Sequence, residues 1–479
     1  MHFDLLARIG GDAAMERVFS EEGTVSSWLR VEAGLGRALA AAGVIDAGVG
    51  ERIAAACTLE AIDLPRLWKE SAVVGYPILP LVRMVCEVLP EADAAYVHYG
   101  ATTQDIMDSA IALQAGDALR HLDTEVDALG DALARLVDQH RESTMAARTH
   151  VMQAVPTTFG AKLAVFLDTL ARQRLHLRAA AEELRMVSLF GAGGTSAALG
   201  GHAVAVRTAL AAELGLRDGG VPWHVARDRV VAAGHAAAEL ASTCTRLGRE
   251  IIDLSRLEIG EVAEEDGMYR GASSTMPQKA NPISSEMAVG FGTWAATAAA
   301  GLYRAMEAGH ERAAGEWHVE WAALPATMTA TAGALGAARD AVVGLRVFPE
   351  RMLANLGTDG GRLMAEAYMM VLAPHLGRGA AHELVYEAVR HSRQHDVPLR
   401  EAVRDVVTPE VWSNVEPILP WPQGYLGQAS AICDEALKAW AAGGEPTHPP
   451  GQQASQRTSQ APAGPADPSN PLTTPVHKE

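Results

Sequence analysis

Apolar positions recur along this chain at the spacing of a helix face. Leu163, Phe166, Leu167 and Leu170 follow i, i+3, i+4, i+7. Leu240, Cys244, Leu247, Ile251 and Leu254 repeat at alternating steps of four and three. A helix returns to the same face every 3.6 residues, so each set predicts a continuous apolar stripe, and the second predicts a bundle seam. Runs of β-branched residues alternating with polar ones are hard to find. Proline extends the reading, since none occurs in 91–155, 157–221, 223–276 or 283–324. Proline lacks an N–H and clashes inside a helix, so gaps of that length permit very long helices. The pattern predicts an all-α protein with a long central helical bundle.

Gly/Ser/Thr-rich patches at 98–105, 149–160, 191–201 and 267–282 bound the proline-poor runs. Two readings are open. The patches are plain helix–helix turns, or the ends of long helices converge on a site there. Three folded parts are expected: 1–105, 106–350 and 351–443. The remainder, 444–479, holds 8 of the 24 prolines among Gly, Ser, Gln and Thr. Such a segment has too little apolar surface to order itself and reads as a disordered tail.

Composition narrows the function. The 479 residues exceed one simple core. A formal charge of −18 argues against non-specific nucleic-acid binding, which needs a basic surface. It leaves room for a small anionic substrate held by a few arginines in a cleft. Cys57, Cys86, Cys244 and Cys433 lie far apart, with no CxxC pair, so they read as buried thiols rather than a metal site. The first residues show no basic region followed by an apolar run, and no apolar stretch is long enough for a bilayer. A cytoplasmic enzyme without membrane contact is the expectation.

Residues 267–286 carry the candidate chemistry. Two glycines, paired serines and two prolines exclude a helix and predict a long loop of the kind that closes over a site. Ser273, Ser274, Lys279 and Asn281 could face one anionic ligand. A serine hydroxyl becomes a base only if its alkoxide is stabilised, which an ammonium and oriented N–H groups can do. A surface loop with ordinary turn residues is the plain alternative.

The segment Gly271-Ala-Ser-Ser-Thr-Met-Pro-Gln-Lys-Ala-Asn-Pro282 resembles the serine loop of the fumarase/aspartase superfamily, departing at Ala272, where glycine is usual. Two more segments match that superfamily. They are His98-Tyr-Gly-Ala-Thr-Thr-Gln-Asp105, with Thr103 for the usual Ser, and Ala147-Arg-Thr-His-Val-Met-Gln-Ala-Val-Pro156, with Met152 for a Gln. The resemblance implies Ser273 as general base, with Lys279 and Asn281 on the substrate carboxylate. It implies carboxylate binding by Thr102, Thr103 and Gln104, Thr149 as a ligand, and His150 as general acid. His98, Arg148, Ser274 and Met276 fall in the same segments and join the implied substrate-binding set. Stretches around Trp223, His310–His318 and Met364–Arg378 look most like the 3-carboxy-cis,cis-muconate cycloisomerase branch, near the adenylosuccinate lyases. They bring in Arg227 and Arg312 as anion ligands, whereas Trp317 and Trp321 read as packing and His318 stays open between packing and the site.

What the resemblance implies is anti elimination across a small substituted succinate, without metal or organic cofactor. It also implies a homotetramer around a twenty-helix core, each site shared by three subunits. A monomer with a five-helix bundle fits the periodicity equally. Cycloisomerases usually carry His and Arg in the loop where this chain has Gln278 and Ala280. Losing two cationic groups turns the expectation towards a carbon–nitrogen lyase releasing fumarate, a nitrosuccinate lyase being one example. The cycloisomerase and an adenylosuccinate-type lyase stay as alternatives, with a catalytically inactive relative as the non-enzyme reading.

Overall fold

The structure, a computed structural model, describes residues 4–312 and 315–444. The expected disorder of the tail falls, from residue 445 on, outside the described residues. Five long helices form the centre: Thr103–Gln139, Phe159–Leu184, Asp228–Leu254, Ile283–Ala305 and Glu316–Val343. At 1.5 Å per residue the first spans roughly 55 Å. Both sequence stripes face inward, and Leu240, Cys244, Leu247, Ile251 and Leu254 are all at most 3% exposed. Small residues let these helices approach closely. A Cβ on Gly292 would stand 2.4 Å from the Ala241 carbonyl oxygen, so the 228–254 and 283–305 helices could not sit as they do. The 316–343 helix runs on through Pro325, the proline that closes the 283–324 gap.

Three apolar cores organise the described residues, and they are less sequential than 1–105, 106–350 and 351–443. The N-terminal core joins Trp28, Leu35, Ile53 and Leu81 to Ile106 and Leu113, but also to Val187, Val206, Leu210 and Leu214. Residues 187–216 thus pack with the N-terminal part. The third core holds Leu356, Leu372, Val385, Leu399 and Val415. The Ala429–Ala441 helix leaves it and returns to the central bundle, where Trp440 donates to Asp131 at 2.9 Å beneath the Arg174 guanidinium. Cys244 and Cys433 are buried, Cys57 and Cys86 half-buried, and all four are free.

The fold is all-α with two small sheets. One is a hairpin, Thr144–Thr149 against Met152–Thr158, in a stretch that gave no strand signal. The other pairs Val262–Ala263 with Arg346–Val347 and leads into the serine loop. Among the described residues, no helix is long and apolar enough to cross a membrane.

Candidate active site

The first patch is the start of the 103–139 helix. Asp105 is fully buried and holds this corner together. It accepts from the Thr102 N–H (3.1 Å), the Phe190 and Gly191 N–H groups (2.9 and 2.8 Å) and the Ser188 hydroxyl (3.0 Å), and it bonds His224 Nε2 at 2.8 Å. Burial alone would raise its pKa, but His224 and the backbone donors outweigh that and hold it low. Arg312 reaches this corner from the connection between the 283–305 and 316–343 helices. Its Nη1 donates to Thr102 Oγ1 at 3.0 Å and its Nε to Gln104 Oε1 at 3.1 Å. Thr102, Gln104 and Arg312 therefore meet, with half-buried Thr103 beside them at the helix start. Free N–H groups there, together with Arg312, make a place for a carboxylate.

His98 sits at the same corner with φ +60°. Its Nδ1 lies 2.6 Å from Oε1 of Glu32, a residue 1% exposed on the Glu21–Ala41 helix. Burial opposes a charge on this ring, yet the Glu32 carboxylate prevails and lifts the His98 pKa. Nothing in the sequence marked Glu32, because its partner lies 66 positions away.

The second patch is the hairpin tip. His150 and Val151 both adopt positive φ, +50° and +61°, as a tight two-residue hairpin turn demands. Asn-Gly usually fills such a turn, so these residues carry strain there. Thr149, His150, Val151 and Met152 are exposed at the tip. Arg148 does not join them. Its guanidinium forks onto fully buried Glu261 at 2.9 and 2.7 Å, and Glu261 also accepts from Asn355 Nδ2 at 2.8 Å. Arg148, expected to bind substrate, is seen here paired with Glu261 through both terminal nitrogens, which ties the hairpin to the strand before the serine loop.

The serine loop is the third patch, and its neck is closed by backbone geometry. The Gly271 carbonyl accepts both the N–H and the side-chain Nδ2 of Asn281, each at 2.9 Å, and Ala272 and Ala280 form an antiparallel bridge. Asn281, read as a carboxylate ligand, holds this neck through its amide nitrogen. Glu264 anchors the far end, accepting the Ser284 and Ser285 N–H groups (3.1 and 2.7 Å) and the Ser285 hydroxyl (2.7 Å). A carboxylate at the start of the 283–305 helix is well placed against its positive end. Above the neck, Ser273 Oγ accepts the N–H groups of Met276 (3.1 Å) and Thr275 (3.3 Å). Ser274, Met276 and Lys279 are exposed, and Lys279 forms no ion pair among the described residues.

Arg227 belongs to none of these patches. It is 0% exposed and its donors reach Asp108 (3.0 and 3.1 Å), Glu320 (2.9 Å) and the Trp223 carbonyl (3.2 Å). The expectation that Arg227 binds a substrate anion is corrected, because it is the buried counter-ion of two carboxylates inside the bundle. Among the described residues, no hydrogen bond or ion pair links Ser273 or Lys279 to His98, Thr102, Gln104, Arg312 or His150. No group of three His, Cys, Asp or Glu side chains there could hold a metal ion.

Known proteins match this chain over most of its length. A family profile described as Lyase matches residues 11–295. A 3-carboxy-cis,cis-muconate cycloisomerase of Pseudomonas aeruginosa is 39% identical over 442 residues, covering 91% of this chain and 96% of that one. A nitrosuccinate lyase of Streptomyces davaonensis is 34% identical across 90% of this chain and 94% of its own. Among solved structures, the 3-carboxy-cis,cis-muconate lactonizing enzyme of Pseudomonas putida superposes with a TM-score of 0.85 at 34% identity, over 92% of this chain and 99% of that one. The chain therefore belongs to the lyase family and, with it, to the fumarase/aspartase superfamily.

Proposed function

We propose that this enzyme removes a proton from the carbon next to a carboxylate of a substituted succinate and expels the substituent from the adjacent carbon. Ser273 is the base. Its oxygen already accepts two backbone N–H groups, the arrangement that would stabilise an alkoxide, and this observation carries the reading. Lys279, three residues past Met276 and without an ion pair among the described residues, holds the carboxylate into which the charge spreads. The electron pair left by the proton then forms the carbon–carbon double bond as the substituent departs with its own pair, giving fumarate. His150 hands a proton to a basic leaving group. The Thr102–Gln104–Arg312 corner holds the second carboxylate. Three patches on separate parts of one chain support a site completed by other copies, so a homotetramer is part of this proposal. Sedimentation showing a monomer at micromolar concentration would sink it.

A carbon–nitrogen bond is the favoured one to break, because Gln278 and Ala280 leave the loop without extra cations for a third carboxylate. The second reading, cycloisomerisation of 3-carboxy-cis,cis-muconate, is favoured by the Pseudomonas aeruginosa relative. A turnover screen separates them. Nitrosuccinate, argininosuccinate, adenylosuccinate and aspartate are followed by fumarate formation, and carboxymuconate by loss of its diene absorbance. Fumarate from one nitrogen-bearing substrate supports the first reading, and diene loss without fumarate supports the second.

A further inference from the structure

A cleft of about 550 Å³ opens between the N-terminal part and the central bundle. That volume suits a small organic group. Aromatic rings form one part of its lining, among them Trp28, Trp68, Tyr76, Trp317 and Trp321, beside apolar residues such as Met107 and the small polar groups of Thr24, Ser71 and Gln114. Tyr76 and Trp317 stack at 6.1 Å and 23°, and Trp321 meets Trp317 edge-on at 5.0 Å. Two chain segments lead from the carboxylate corner to the cleft. Met107 lies about one turn along the helix whose first residue is Thr103. Trp317 follows Arg312, the residue bonded to Thr102 and Gln104, by five positions.

The charge of the cleft is as informative as its shape. Asp108 and Glu320 line it, while no Lys, Arg or His does so among the described residues. Both carboxylates share the single guanidinium of Arg227, so the ionised trio carries one net negative charge. An anionic group entering here would lose its hydration, meet no lysine or arginine among the described lining residues and face that charge. A flat neutral group would instead lie against ring faces.

We infer that this cleft receives the substituent carried by the succinate skeleton, and that it selects a planar group without negative charge over an anionic one. The inference rests on the proposed lyase reading and adds its substrate class: nitro, amide-like or aryl substituents fit, a third carboxylate or a phosphate does not.

Three probes test it by calorimetric binding to the intact protein: succinate, phenylsuccinate and propane-1,2,3-tricarboxylate. Phenylsuccinate should bind about tenfold or more tightly than succinate, and the tricarboxylate no better than succinate. Tyr76→Leu, in the turn between the Leu64–Val74 and Ile78–Glu87 helices, and Trp321→Phe, on the 316–343 helix, should each shrink the phenyl advantage. Retained succinate affinity shows that each variant is folded. Equal affinities for succinate and phenylsuccinate, an advantage surviving both substitutions, or tightest binding of the tricarboxylate would overturn the inference and leave the lyase reading standing. Binding of neither dicarboxylate would overturn both.

Discussion

Replacing Gly271 with alanine tests whether the neck of the serine loop positions Ser273. Gly271 has φ +66°, and an added Cβ would stand 2.3 Å from the Asn281 carbonyl oxygen and 2.8 Å from its nitrogen. Both obstacles are backbone, so no side chain can swing aside. Ordinary contact begins near 3.4 Å, so the neck must widen by about 1 Å. The left-handed conformation costs alanine ~1–2 kcal/mol. Weakening the two hydrogen bonds to the Gly271 carbonyl adds ~1 kcal/mol each at most. A penalty near ~3 kcal/mol on the closed neck is about a hundredfold in its population. The assay is kcat and KM for the substrate found in the screen, with the thermal midpoint beside them. The expected outcome is kcat reduced about a hundredfold with a small change in midpoint, since the neck can open locally. A kcat within threefold of the parent enzyme would refute the reasoning.

Arg227→Met should lower stability by ~3–5 kcal/mol, because Asp108 and Glu320 stay buried without their counter-ion. Denaturation reads this, and unchanged stability with lost substrate binding would instead make Arg227 a ligand. His98→Gln should flatten the pH dependence of stability. The folded-state pKa of His98 lies above its ordinary value, so its contribution is complete below about 6.5 and fades as pH rises through the raised value. Denaturation midpoints of parent and variant should therefore converge from acid to mildly alkaline pH, and parallel curves would contradict the Glu32–His98 pairing.

Periodicity reported what depends on near neighbours. The 240–254 seam was legible because a buried stripe repeats within one helix. The hairpin was not, because Thr144–Thr149 and Met152–Thr158 lack strand alternation and their His-Val turn lacks a glycine. Cores crossed the sequence boundaries for the same reason: 187–216 finds its apolar partners in the N-terminal part, which no local pattern records. Motif resemblance located the three patches and the family. It could not say which arginines keep free donors. Arg227 meets Asp108 and Glu320 from 119 and 93 positions away, and Arg148 meets Glu261 from 113. Glu32 and Glu264 were missed alike, since their importance lies in what they hold.

The claim at the centre is that Ser273 takes the proton, and substrate deuterium exchange tests it most directly. The parent enzyme and Ser273→Ala are incubated in deuterated water with the screened substrate, following deuterium entry beside the carboxylate and fumarate release together. The account predicts that both fall about 10²–10⁴-fold in the variant while substrate affinity holds within a few-fold. Turnover or exchange persisting within tenfold of the parent enzyme would contradict it and move the base to another residue.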